Sequence, residues 1–214
     1  MPSTIYAVLI ADVMESRARA DLRSLLGKKL AAISRHHLHR KLIQLPYSVT
    51  AGDEFQTVTR DLPSIPTVIQ DLRVALRPLS LRIGVGFGSI AARIQPPVNR
   101  LGGEAFQCAR KAIESIKTGN LFKFAVLTTF VSRYEHFNKT INLIYGLHDT
   151  LVLKITERQW ETIREFHDTP TLEQTAKRLK LDNSTVSRNL KRGYYWQLAE
   201  TVKGTESLIK CTFS

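Results

Sequence analysis

Thr50-Ala-Gly-Asp-Glu-Phe-Gln56 decides how this 214-residue chain is read. Val49 and Phe55 are apolar, and Gly52-Asp53-Glu54 stands between them. That is the pattern of two short β runs joined by a glycine-containing turn, a hairpin. A hairpin tip has no structural need of two adjacent carboxylates, and like charges side by side cost free energy unless a cation or strong donor stands opposite. Upstream, Tyr6-Ala-Val-Leu-Ile-Ala-Asp12 is a buried-strand run that ends in another carboxylate. Strand ends bringing Asp12 and Asp53 together, with Glu54 alongside, would form a hard-oxygen site suited to Mg2+ or Mn2+. Two metals in such a site can hold the phosphates of a nucleotide.

Outward from the hairpin, residues 5–11 read as a central strand. Residues 20–42 read as a helix, with Leu22, Leu25, Leu26, Leu30, Ile33 and Leu38 near a 3.6-residue spacing. The hairpin strands are residues 45–49 and 55–59. Pro63 and Pro66 punctuate the entry to a helix over residues 67–76, which stops before Pro78. Residues 79–87 alternate Leu81, Ile83, Val85 and Phe87 with Gly84, Gly86 and Gly88, and a glycine face on a strand means that a backbone or a ligand packs closely there. A short strand over 90–94, a helix over 103–117 and a last strand over 121–129 follow. The order implies an α+β fold: a split βαβ, ferredoxin-like domain with helices on one face of a mainly antiparallel sheet, over residues 1–130. Polymerase palms and nucleotidyl cyclases share this core. Residues 131–156 read as a connecting helix, and residues 157–214 as an all-α domain.

Net charge is +12 and the hydrophobic fraction 43%. Such a charge favours nucleic acid as a partner. Arg17, Arg19, Arg23, Lys28, Lys29, Arg35, Arg40 and Lys41, with His36, His37 and His39, crowd one segment against the single acid Asp21. It is either a solvated helix face or a phosphate-facing surface. No run is long and apolar enough for a membrane span. Cys108 and Cys211 form no metal spacing, and Cys108 reads as a small buried hydrophobe, which fits a reducing cytoplasm.

In the last third, Trp160, Ile163 and Phe166 sit at helical spacing over 159–167. Ala176, Leu179 and Leu181 give the core face of a helix starting at Thr171, with Glu173 and Gln174 in its first turn. After the break at Asp182-Asn183, Ser184 can cap a second helix that points Val186 and Leu190 inward. Asn183, Thr185, Ser187, Arg188, Lys191 and Arg192 then face outward. Small hydroxyls and basic side chains on one exposed face suit double-stranded DNA, with Arg188 able to reach a guanine. A helical hairpin used for protein contacts is the alternative. Tyr194, Tyr195 and Trp196 are expected to anchor the second helix to the body.

Residues 176–190 resemble the helix-turn-helix of bacterial regulators and sigma-factor-type domains. Leu9-Ile-Ala-Asp-Val13, Gly52-Asp53-Glu54-Phe55, Arg82-Ile-Gly-Val-Gly-Phe-Gly88 and Gly102-Gly-Glu-Ala-Phe-Gln-Cys-Ala-Arg110 resemble, in order, four motifs of class III nucleotidyl cyclases and GGDEF diguanylate cyclases. The resemblance implies metal binding by Asp12 and Asp53 and a nucleotide held near Gly52, Glu104 and Arg110. Phe106, Val49 and Ala51 depart from the cyclase pattern, at the asparagine before the arginine, the base-selecting lysine and the first hairpin glycine. The whole layout most closely resembles the SatD family. A regulator whose DNA affinity depends on what the palm holds is the leading expectation, as a homodimer by analogy. An active cyclase or oligonucleotide synthase using two-metal chemistry at Asp12 and Asp53 is the rival. A third alternative is a pure interaction module with both sites inert, in which the acids cap turns and Arg110 pairs with Glu104 or Asp12.

Overall fold

The computed structural model describes residues 4–14, 22–91, 93–119 and 121–214. Arg17, Arg19 and Asp21 of the basic segment lie outside the described residues.

Strand β1 (Tyr6–Val13) is the centre of a five-stranded sheet of order β2-β3-β1-β4-β5. Hairpin strands β2 (Ser48–Ala51) and β3 (Glu54–Thr59) lie to one side, β4 (Leu81–Gly88) and β5 (Thr128–Val131) to the other. All pairings are antiparallel except β4 with β5, which is parallel. Strand β1 runs on through Asp12 to Val13, so Asp12 is a paired strand residue rather than a strand end. Gly52, at the hairpin tip, has φ +61°, a left-handed conformation glycine adopts without a Cβ penalty.

Side chains alternate across the pleat. Ala7, Leu9, Ala11 and Val13 of β1, with Ile83, Val85 and Phe87 of β4, bury against helices α1 (Leu22–His39) and α2 (Ile65–Ala75). Val8 and Ile10 bury on the opposite face against Ala105, Ala109 and Ile113 of α3 (Glu104–Thr118). The expectation of helices on one face is therefore corrected: α1 and α2 share a face, and α3 covers the other. The glycine face of β4 is filled by helix backbone. A Cβ on Gly86 would stand 2.1 Å from the amide nitrogen of Ala109 and 2.2 Å from the carbonyl of Ala105. Only glycine lets α3, itself lined by alanines, lie this close to the strand.

Further segments differ from expectation. Residues 90–94 form no strand among the described residues, and the last strand is four residues long, beginning at Thr128. The expected connector is α4 (Glu135–Val152), and it is bonded to the sheet edge. Asn142 accepts from the amide of Phe130 at 2.7 Å and donates to its carbonyl at 2.9 Å, as a neighbouring strand would. Buried Asp149 accepts from Leu127 N at 2.7 Å and from Arg73 of α2 at 2.8 Å.

Helices α5 (Glu157–Asp168), α6 (Leu172–Leu179) and α7 (Asn183–Arg192) build a second cluster from Trp160, Ile163, Phe166, Ala176, Val186 and Leu190. Helix α8 (Tyr195–Phe213), which the sequence reading did not anticipate, gives Leu198 to this cluster and Ile209 to the palm core. Its Phe213 stacks on Phe87 at 4.7 Å. Tyr194 and Tyr195 pack against the second cluster as expected, while Trp196 is 55% exposed.

Candidate functional site

Strand register gathers the hairpin acids. Asp12 stands opposite Glu54 on β3 and opposite Arg82 on β4. Directly opposed residues share a face of the sheet, here the face covered by α3. Arg110 and Lys117 are two turns apart on α3 and reach down to the same place. Arg110 clasps Glu54 with two hydrogen bonds of 2.7 and 2.8 Å, and Thr50 Oγ1 donates to Glu54 Oε1 at 3.0 Å. Asp12 Oδ2 lies 3.5 Å from both Arg82 and Lys117. Arg110 therefore pairs with Glu54, and not with Glu104 or Asp12.

Both carboxylates are buried, and their environments push them apart. Burial raises the Asp12 carboxyl, and the charge of nearby Asp53 adds to this; Lys117 and Arg82 only partly offset it. Burial also acts on Glu54, but the hydrogen bonds and charge of Arg110, with Thr50 and Lys117, bring it below its ordinary value. The register thus places Asp12, Asp53, Glu54, Gly52 and Arg110 at one corner of the sheet. Glu104 lies elsewhere: at the far end of α3 it accepts from Ser89 N at 3.1 Å. Arg82, Lys117 and Thr50 join the corner although no sequence motif assigns them to it. Arg82 left a signal, as the one charge within β4, in phase with its glycines.

The expected divalent metal does not fit these residues as they stand. Glu54 gives both oxygens to a guanidinium, and Asp12 faces two further cations. A metal would have to displace these side chains against their repulsion. Among the described residues, no group of three or more His, Cys, Asp or Glu is arranged to hold an ion. The strong donor that adjacent carboxylates demand is Arg110.

The second candidate surface is the helix pair. Thr171 caps α6, accepting from Gln174 N at 3.3 Å, and Lys180 ends it with φ 54°. Asp182, not Ser184, caps α7: its carboxylate accepts from Thr185 N at 2.7 Å, Thr185 Oγ1 at 2.7 Å and Ser184 Oγ at 2.5 Å. These bonds hold Asp182 well below the usual carboxylate range. Val186 and Leu190 are buried, and Asn189 Nδ2 donates to Thr162 of α5 at 3.1 Å. Asn183, Ser187, Arg188, Lys191 and Arg192 are exposed, while Thr185 is half-buried with its hydroxyl engaged.

The basic segment is not one continuous phosphate-facing surface. Lys29 Nζ donates to the carbonyls of Ala75 and Arg77 at 3.0 and 2.6 Å. His37 is fully buried, with Nδ1 2.8 Å from the Tyr47 hydroxyl and Nε2 donating to Asp71 at 3.1 Å. Asp71 also accepts from His167 of α5 at 3.0 Å, which ties the second cluster to the palm. Lys28 and Arg35 are exposed. No described helix is long and apolar enough to cross a membrane.

No curated protein matches the chain. Among solved structures, the dimeric guanylyl cyclase domain of the RhoGC fusion protein from the aquatic fungus Blastocladiella emersonii is 16% identical, with 53% of this chain and 74% of that one covered at a TM-score of 0.40. A bacterial light-regulated adenylyl cyclase is 12% identical over 59% of this chain and 75% of its own, TM-score 0.40. A regulator of polyketide synthase expression from Bifidobacterium adolescentis is 13% identical over 100% of this chain and 83% of its own, TM-score 0.33. Likenesses of this strength carry nothing about activity. The SatD family model matches residues 6–196, the sheet and all helices up to the start of α8, and the chain belongs to the SatD family.

Proposed function

We propose that this chain is a DNA-binding regulator that reads duplex DNA with α7, α6 and α7 acting as a helix-turn-helix. The carrying observation is the division of α7. Val186 and Leu190 fix one side in the core, while Ser187, Arg188, Lys191 and Arg192 stand exposed on the other. None of these three cations has an acidic partner among the described ion pairs. Such a helix suits the major groove, with Arg188 aimed at base edges and Lys191 and Arg192 at phosphates. Lys177 and Lys180 are exposed nearby and extend the positive surface. A homodimer would present two such helices to two half-sites.

The palm is proposed as the scaffold and sensing body of this regulator. The corner at Asp12 and Glu54 supports that role better than two-metal catalysis, because its carboxylates are engaged by Arg110, Arg82 and Lys117. A nucleotide at that corner would need Arg110 to leave Glu54 for a phosphate.

Titrating a fluorescent duplex with the full chain across a salt series tests the reading. Tight binding that weakens steeply with salt is expected, through counterion release. Unchanged duplex affinity when Arg188, Lys191 and Arg192 are all alanine would overturn it.

A further inference from the structure

At the end of the sheet opposite the hairpin lies a second feature, independent of the DNA reading. A cavity of about 570 Å³ opens between the start of β1, the exit of β3, the β5–α4 turn and the last turn of α8. Arg60, Arg133 and Lys210 reach it from three separate elements; among the described residues its other lining side chains are uncharged, and the main chain of Ser214 lies at its edge. Glu104 acts on Arg133 from outside the lining.

The floor is aromatic. Phe213 is stacked on Phe87 and meets Tyr134 edge-on at 5.4 Å. Arg133 lies over the Tyr134 ring at 4.9 Å and donates to its hydroxyl at 2.7 Å, which presents the guanidinium at the rim. Tyr134 and Phe213 are each only partly buried, so ring surface remains for a ligand.

Protein surfaces normally intersperse charges of both signs, and three cations around one aromatic hollow leave a positive rim suited to an anion. The volume lies within the ~300–1,000 Å³ of small-molecule sites, which combine an apolar lining with a few convergent polar groups. We propose that this cavity binds an organic phosphate with a planar aromatic body, of the mononucleotide class. The phosphate lies among Arg60, Arg133 and Lys210, and the ring lies against Tyr134 and Phe213. The site is separate from the Glu54–Arg110 corner, because β1 runs from this cavity to that corner along its whole length.

Isothermal titration of the full chain with adenosine monophosphate tests the proposal. One-to-one binding is expected, weaker by about tenfold or more for adenosine and for inorganic phosphate, since each keeps only half of the contacts. Arg60→Ala and Arg133→Ala, both at exposed positions, should each weaken it by about tenfold with the ligand-free melting temperature unchanged. Lys210→Ala repeats the test from α8. Lys139→Ala removes an exposed cation elsewhere and should leave binding intact. Absence of binding, binding insensitive to Arg60 and Arg133, or an equal loss in Lys139→Ala would overturn it.

Discussion

The sheet and α7 treat charge in opposite ways. Around the sheet, each buried carboxylate has a cation: Glu54 the half-exposed Arg110, Asp12 the partly exposed Arg82 and Lys117, Asp149 the buried Arg73. On α7, Arg188, Lys191 and Arg192 stand exposed, and none is in an ion pair among the described residues. A buried charge without a partner is expensive, so its partner is internal and its role is architectural. An exposed charge left unpaired costs little, and stays free for a partner outside the chain. The difference teaches that the acidic hairpin, the most conspicuous stretch of sequence, is the more self-contained site.

The sharpest test of the architectural side is Asp149. It is fully buried and holds Arg73 and the amide of Leu127 at once. Asp149→Ala leaves Arg73 charged and unpaired in the core and should cost about 3–5 kcal/mol in urea unfolding. A loss below about 1 kcal/mol would remove the claim that such pairs hold the palm together.

The reverse holds on α7. Replacing Arg188, Lys191 and Arg192 by alanine should weaken duplex binding by roughly 100-fold, about 2.7 kcal/mol. The salt slope should fall by close to 3 if all three meet phosphate. Stability should stay within about 0.5 kcal/mol of the parent, as for other exposed sites. A large stability loss with normal DNA binding would invert the comparison.

Arg110→Ala sits between these cases, since the guanidinium is half-exposed while Glu54 is buried. The cost should be about 1–2 kcal/mol, the range for a charged hydrogen bond lost at a partly solvated site. It also frees Glu54 beside Asp12 and Asp53, so Mn2+ should raise the melting temperature of the variant and not of the parent. A parent already stabilised by Mn2+ would show that the corner takes metal in spite of its arginine.

The smallest effect is expected at His167. Its hydrogen bond to Asp71 raises it above the ordinary value of 6.5, against the effect of burial. The ion pair therefore contributes fully below pH 6.5 and is lost as pH rises through the raised value. Asp71, held well below its own ordinary value by the two histidines, keeps its contribution until strongly acid pH. The parent should lose up to about 1 kcal/mol on the alkaline side, and His167→Gln should be flat there. Parallel profiles would show that the contact does not clip α5 to the palm.

What the sequence disclosed follows from the range of each interaction. The continuous apolar run of β1, the glycine alternation of β4 and the Val186–Leu190 spacing of α7 are local patterns, and each element was legible. Register sets Asp12 opposite Glu54 as a paired residue within β1, where a strand end was expected. The partner of Glu54 was not legible: Arg110 lies 56 residues away, and the motif that marks it points to a nucleotide instead. Residues 121–127 read as strand because they are apolar. In the fold Phe122 and Phe124 stack on each other at 4.9 Å, and a Cβ added to Gly146 of α4 would stand 3.0 Å from the Phe124 ring. Helix α8 escaped notice because its two halves serve different cores, so its apolar residues never settle into a single stripe.

That division of α8 bears on what completes the palm. Phe87, deep in the palm, rests on a ring from Phe213, and Ile209 is sealed into the same core. A chain whose α8 has yet to pack can pair β1 with β3 and β4, yet it carries an open aromatic wall beside Phe87. Packing of α8 is therefore what closes the palm core over Phe87.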